Sequence, residues 1–188
     1  MRIEKLQRNF NIKTRFVHFP LHPDTPQEGR TLEALFGSGA ADVEEKNIRM
    51  KALMDAEGLP YARRTHTYNS RLAQELACWA VEQTGGDIIH ELLFKAYFVD
   101  NKNIADPEVL IRLVSKSGLD QQAAASVLEQ RSYKENVDAD WELSHQYGVT
   151  GVPTYVIAGK GVVGAQPYQA LEQLLVDGGV DKVPTIGN

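Results

Sequence analysis

The chain has 188 residues, of which 43% are hydrophobic and 24% charged, a composition typical of one folded domain or of one domain with a large insertion. Its formal net charge of -5 argues against a nucleic-acid-binding protein, because such proteins use Lys and Arg to neutralise phosphates. The single cysteine, Cys78, excludes a disulfide or a pair of reactive thiols within this chain.

The sequence contains no membrane-targeting pattern. It has no run of about 20 apolar residues, the length that spans a bilayer. The opening residues 1–8, MRIEKLQR, lack the apolar stretch of a secretion signal. We therefore expect a soluble, cytoplasmic protein without a membrane partner.

The N-terminal region predicts a helix, a strand and a loop. Ile3, Leu6 and Phe10 recur at the spacing of an amphipathic helix. The segment Ile12–Phe19 is rich in β-branched and aromatic residues and predicts a strand buried on both faces. Residues 20–29 contain three prolines and predict a loop.

The middle of the chain, residues 31–147, is predicted to be helical. The clearest helix start is Asp106, a capping residue that is followed by Pro107. Stop and start signals of this kind divide the segment into helices. The predicted helices are Asp42–Glu57, Ser70–Gly85, Ile88–Val99, Pro107–Gly118, Asp120–Leu128 and Lys134–Tyr147.

The C-terminal region returns to β character. Thr154–Ile157 predicts a short strand, Gly159–Gly161 a hairpin turn and Val162–Val163 the partner strand. Pro167 opens a closing amphipathic helix that ends at Gly178.

This order of elements predicts a small sheet that is interrupted by a helical insertion. We expect residues 1–30 and 148–188 to form one discontinuous domain. Residues 31–147 are expected to form the insertion domain.

The segment before the C-terminal strand carries the most information about function. Pro153 cannot donate to a sheet ladder, and a Val152–Pro153 bond at this position favours a cis peptide that exposes the peptide groups of Val152. An extended peptide can pair with such a backbone. Val152, Pro153 and Thr154 are therefore the candidate substrate-binding residues. The alternative is an edge strand that merely begins with proline.

Several segments together carry a family resemblance. Gly151–Tyr155 reads Gly-Val-Pro-Thr-Tyr, and Val163–Pro167 follows the hairpin. With Phe19–Asp24, Leu93–Phe98 and Asn103–Asp106 in this order, they resemble DsbA-like thioredoxin-fold proteins of the FrnE-like subgroup. The resemblance implies an α/β, thioredoxin-like fold with a large α-helical insertion. It also implies a thiol-disulfide oxidoreductase that exchanges disulfides with polypeptide or other thiol substrates.

The sequence departs from this family at its N-terminal end. Members typically begin with a strand and Cys-Pro-Trp-Cys at a helix start, and this chain has neither. The segment Ile3–Asn9 resembles the tail of the helix that follows that motif, so we expect the first, central strand and the motif to lie upstream of Met1. The chain itself then contains no catalytic residue.

Three explanations of this departure are open. The natural reading frame begins earlier; the sheet rearranges or borrows a strand from a second copy, giving a homodimer; or the protein is a shortened, non-redox descendant. We favour the first, because Ile12–Phe19 and Thr154–Ile157 keep the apolar character of buried neighbouring strands.

Two other functions remain as alternatives. The fold is also similar to kappa-class glutathione transferases and 2-hydroxychromene-2-carboxylate isomerases, where glutathione pairs with the backbone beside the proline. Val152 and Pro153 would serve there equally well, so glutathione is a possible ligand, although the loop after Phe19 favours the FrnE-like resemblance. The third possibility is a non-catalytic peptide-binding or chaperone-like module.

The remaining reactive side chains predict no further site. Cys78 lies among apolar residues on a helix and is interpreted as a structural, buried thiol. His18 and His22 are four residues apart but straddle a strand-to-loop junction, which lacks the helical geometry that would make them joint metal ligands. No metal is predicted.

Overall fold

The structure is a computed structural model that describes residues 2–183. The helices are α1 Arg2–Asn9, α2 Leu32–Phe36, α3 Ala40–Ala56, α4 Arg71–Val81, α5 Ile88–Phe98, α6 Pro107–Ser117, α7 Gln121–Gln130, α8 Lys134–Gln146 and α9 Tyr168–Asp177. The strands are β1 Arg30–Thr31, β2 His66–Thr67, β3 Thr154–Ile157 and β4 Lys160–Val163. None of the helices between residues 2 and 183 is long and apolar enough to cross a membrane.

The chain divides into two compact units. One runs to Leu21 and resumes at Asp140, and we call it the sheet unit because it holds β3 and β4. The other, His22–Ala139, is called the helical unit.

The helical unit is built on four helices, α4 to α7, which share one apolar core. Their starts and stops follow from local chemistry: the side chains of Asp106 and Asp120 accept hydrogen bonds from the first turns of α6 and α7, and Gly118 ends α6 in a left-handed conformation. The buried residues of this core are Ala73, Leu76, Ala77, Trp79, Ala80, Ile89, Ala96, Ile104, Leu110, Leu113, Val114, Ala124 and Leu128.

A carboxylate is buried within the same unit. Glu75, fully buried in α4, accepts two hydrogen bonds from Arg131, at 2.6 and 2.7 Å, and one from Arg71 at 2.6 Å. Burial by itself raises the pKa of Glu75, but the hydrogen bonds from Arg131 and Arg71 outweigh it and hold the pKa below its ordinary value. Arg71 also reaches Asp138 at 2.7 Å, so the buried charge belongs to a network.

The sheet unit is built on a hairpin and two helices. Strands β3 and β4 pair antiparallel from Thr154 opposite Val163 to Ile157 opposite Lys160. One face of the hairpin packs on α1 and α9. The buried residues of this cluster are Leu6, Phe10, Leu171 and Leu175, and Tyr155, Ile157 and Val162 pack against them.

The predicted strand over Ile12–Phe19 is wrong. Residues 12–19 belong to no helix or strand, and β3 and β4 form a sheet of only two strands within the described part of the chain. Phe16 is 63% exposed and Val17 39% exposed, so the expected burial on both faces is also absent. A β-rich composition predicts extended backbone, but a strand also needs a neighbour to pair with.

Smaller differences concern turns and short elements. The hairpin turn lies one residue earlier than predicted, at Ala158 and Gly159, which both adopt positive φ. Helix α4 ends at Val81, before the predicted Gly85. The two-residue strands β1 and β2, which pair antiparallel, are too short to produce a periodic pattern in the sequence.

Candidate functional site

The loop between α8 and β3 places the candidate substrate-binding residues at the surface of the sheet unit. Gly148 takes φ +65 and donates its N–H to the carbonyl of His145 at 2.9 Å, which ends the helix. The Val152–Pro153 peptide bond that follows is cis. Val152 is 50% exposed and Pro153 is exposed, whereas Thr154 is half-buried.

Hydrogen bonds fix both ends of this loop. The hydroxyl of Thr154 donates to the carbonyl of Gly151 at 2.6 Å, and the N–H of Gly164 donates to the carbonyl of Pro153 at 2.7 Å. The N–H and C=O of Val152 form no hydrogen bond with any residue between 2 and 183. The loop therefore holds one hydrogen-bond donor and one acceptor, the N–H and the C=O of Val152, in a fixed position at the surface.

A histidine–carboxylate pair lies elsewhere in the sheet unit. Nδ1 of His18 is 2.9 Å from the carboxylate of Asp140, which also accepts the main-chain N–H of His18 at 3.1 Å. Arg15 approaches the same carboxylate at 3.3 Å. Asp140 lies 122 residues from His18 in the chain, so no sequence motif predicts this pair.

The other reactive residues do not all belong to the sheet unit. Cys78 lies in α4 of the helical unit, where it is half-buried. His22 belongs to the helical unit and His18 to the sheet unit. Within the sheet unit, the structure therefore brings together Val152, Pro153 and Thr154 but no thiol.

Comparison with known proteins identifies the family. Residues 1–176 match the DSBA-like thioredoxin domain. The chain belongs to this family. Over its whole length it superposes on the crystal structure of a probable DsbA oxidoreductase from Streptomyces coelicolor, with a TM-score of 0.86, 25% sequence identity and coverage of 86% of that chain. The predicted thioredoxin-like α/β fold is confirmed.

Sequence relatives match shorter stretches of the chain. The protein YwbO of Bacillus subtilis is 32% identical over 116 residues, which are 60% of this chain and 56% of that protein. The thiol:disulfide interchange protein DsbA of Pseudomonas aeruginosa is 31% identical over 72 residues, 38% of this chain and 34% of that protein. The matched stretch thus spans little more than half of the first relative and about a third of the second.

Proposed function

We propose that this DSBA-like domain takes part in thiol-disulfide exchange on polypeptide substrates, and that Val152, Pro153 and Thr154 form its substrate-binding loop. The observation that supports this proposal is the exposed peptide backbone of Val152, whose N–H and C=O have no partner among residues 2–183. An extended substrate pairs with such groups as an added strand, and the exposed Val152 side chain gives it an apolar contact.

The single cysteine limits the chemistry that these residues perform by themselves. In disulfide exchange a thiolate attacks a substrate disulfide, and a second thiol then resolves the mixed disulfide. Cys78 cannot supply both thiols. We therefore propose that this chain contributes substrate binding and that the reactive thiol pair comes from outside these 188 residues.

A mass measurement combined with an activity assay tests the source of the thiols. The endogenous protein is purified, its intact mass is determined, and its disulfide reductase activity is measured with insulin and dithiothreitol. We expect a species heavier than this chain, or a stable partner, that has activity. An endogenous mass equal to this chain, without a partner and without activity, would overturn the proposal.

The binding loop is tested by substitution in the full chain. A fluorescein-labelled, reduced polypeptide with one cysteine serves as the probe. Val152→Asp is expected to weaken its binding about tenfold, because a charge replaces an apolar contact beside the pairing groups. Val176→Asp is the matched control, since Val176 is also half exposed, at 47%, but lies in α9. Equal loss in both variants would contradict a role for the loop.

Glutathione binding distinguishes the alternative chemistry. Saturable binding of glutathione that Val152→Asp abolishes, without reduction of insulin, would support the glutathione-dependent isomerase or transferase function. Binding of unfolded polypeptides irrespective of their thiols would instead support a chaperone-like module. The proposal includes a cytoplasmic location, which cell fractionation tests.

A further inference from the structure

Helix α3 is held on the helical unit by one face. Among its 17 residues, all of them described, only Val43 and Asn47 are buried. The side-chain amide of Asn47 donates to the carbonyls of Val43 and Arg64, and it accepts the main-chain N–H of Arg64 at 2.9 Å. The opposite face of α3 therefore lies at the surface of the unit.

Four charged side chains on the exposed face of α3 have no ion-pair partner among residues 2–183. They are Asp42, Glu45, Lys46 and Arg49, all exposed, and they line a groove of about 240 Å³. Other charges of the same helix are paired within the chain: Lys51 with Asp55 at 2.7 Å, and Glu44 with Arg63. The four side chains are thus available to a partner molecule.

The four charges have a definite order along the helix. Residues three, four and seven positions apart lie on the same side of a helix, so Asp42, Glu45, Lys46 and Arg49 share one face. From the N-terminal end the order is negative, negative, positive, positive, over about 10 Å of helix axis. A partner that carries charges of one sign is therefore repelled by half of this face.

A reversed copy of α3 complements this order of charges. A two-fold axis perpendicular to the helix, between Glu45 and Lys46, places Glu45 opposite Lys46 of the second copy. It also places Asp42 opposite Arg49 of the second copy. Each contact occurs twice in a two-fold interface, so every acid faces a base and no like charges meet. The face is complementary to itself in the antiparallel orientation.

Apolar side chains flank the charges at both ends. Leu53 lies one helical turn beyond Arg49 and is 56% exposed. Phe36, at the end of α2, is 45% exposed, and its ring centroid lies 4.8 Å from Nζ of Lys46. The same two-fold axis brings Leu53 of one copy towards the N-terminal end of α3 in the second copy, next to Phe36 in the chain. Burial of these apolar groups favours the same arrangement.

We propose that two copies of this chain associate through α3, antiparallel about an axis between Glu45 and Lys46. One helix from each copy buries less surface than a permanent dimer needs, so the dimer is weak and reversible, with a dissociation constant of about 100 µM. The inference goes beyond the proposed function, because it concerns a face of the helical unit and requires neither a thiol nor the Val152 loop.

Sedimentation velocity of the full chain tests the association. As the protein concentration rises from about 10 to about 500 µM in low salt, we expect the average sedimentation coefficient to rise towards that of a dimer. Raising NaCl from about 0.05 to about 0.5 M is expected to weaken the dimer about tenfold, because salt screens exposed ion pairs. A chain that stays monomeric throughout, or a dimer that salt leaves unchanged, would overturn the proposal.

Charge reversal locates the interface. Arg49→Glu places a carboxylate opposite Asp42 of the second copy at two positions, and it is expected to weaken the dimer at least about tenfold. Lys51→Glu is the matched control, because it makes the same change in net charge on the same helix at a residue that pairs with Asp55 within the chain. It is expected to leave the dimer unchanged. Equal loss in both variants would show a general charge effect and contradict the assigned face.

Mixing two variants tests the antiparallel arrangement. Asp42→Arg places cations opposite each other and is expected to prevent self-association, as Arg49→Glu does. In a mixture, the two introduced side chains face each other and the two remaining ones do the same, so a heterodimer of nearly wild-type affinity is expected. Circular dichroism checks that both variants are folded. Folded variants that stay monomeric when mixed would refute the arrangement.

A second pair of variants covers the case in which Asp42→Arg does not fold, since Asp42 lies in the first turn of α3. Glu45→Lys and Lys46→Glu are each expected to weaken self-association, because each places like charges opposite each other at the two-fold axis. Mixed together, they are expected to form the heterodimer. Absence of a heterodimer in this mixture would contradict the proposal.

Discussion

The helical unit has a closed core, whereas the sheet unit has a cavity beside its hairpin. In the helical unit, α4 to α7 bury a continuous cluster of apolar residues around Leu76 and Leu110, both fully buried. In the sheet unit, Leu171 and Leu175 are buried but line a cavity of about 400 Å³.

The difference follows from where helices and strands find the partners of their main-chain hydrogen bonds. A helix makes its main-chain hydrogen bonds within its own segment, so α4 to α7 need only side-chain packing to be complete. A strand has two edges, and each edge needs another segment to pair with. Strand β3 has β4 on one edge and no strand of the described residues on the other.

The largest expected effect compares one leucine from each core. Leu76→Ala is expected to reduce the free energy of unfolding by about 4 kcal/mol, because a fully closed core is left with a new cavity. Leu171→Ala is expected to cost only about 2 kcal/mol, since some of its contacts are already absent beside the existing cavity. Urea unfolding of both variants measures the difference. A Leu171→Ala cost equal to that of Leu76→Ala would contradict the contrast between the units.

The next largest loss of stability is expected at Glu75, the buried carboxylate of the helical unit. Glu75→Gln keeps the side-chain shape but removes the charge that binds Arg71 and Arg131, and it is expected to destabilise the protein by about 3 kcal/mol. Glu108→Gln is the matched control, because Glu108 is 82% exposed and its 3.5 Å contact with Arg112 is expected to contribute less than about 0.5 kcal/mol. Thermal and urea unfolding measure both, and similar losses would argue against the network.

The lowered pKa of Glu75 predicts that the free energy of unfolding depends on pH. The folded protein holds the pKa of Glu75 below its ordinary value of 4.5, so the unfolded chain binds this proton more readily. The stability due to Glu75 is therefore fully present above pH 4.5 and is lost as the pH falls through the folded-state pKa. Unfolding free energies measured from pH 6 to pH 3 are expected to fall more steeply for the wild type than for Glu75→Gln. Parallel curves would contradict this prediction.

The smallest expected effect lies on the exposed face of the hairpin. Val156 is 41% exposed, and Val156→Thr is expected to change the free energy of unfolding by no more than about 0.5 kcal/mol. A loss of more than about 1.5 kcal/mol in urea unfolding would show that this face is buried in solution.

The sequence predicts the helical unit better than the sheet unit, for a physical reason. Capping signals such as Asp106 before Pro107 and Asp120 before Gln121 are local, so α6 and α7 begin where they are predicted. Strand β3 is also confirmed, because Thr154–Ile157 has both the composition of a strand and a hairpin partner nearby.

Interactions between distant residues are not visible in the sequence. The composition of Ile12–Phe19 predicts extended backbone, but it does not show whether a neighbouring strand is present. The pair formed by His18 and Asp140 likewise depends on residues far apart in the chain. Among the site residues, the Val152–Thr154 loop is predicted from a local proline motif, and its role in substrate binding stays a prediction.

Strand β3 pairs with β4 alone among residues 2–183, and we infer that its second edge is open. Amide hydrogen exchange of the free 188-residue chain, followed by NMR at residues 154–157, tests this inference. We expect Thr154 and Val156 to exchange at least about tenfold faster than Tyr155 and Ile157, whose N–H groups face β4. Equally slow exchange at all four residues would show that this edge is already paired and would contradict the inference of an open edge.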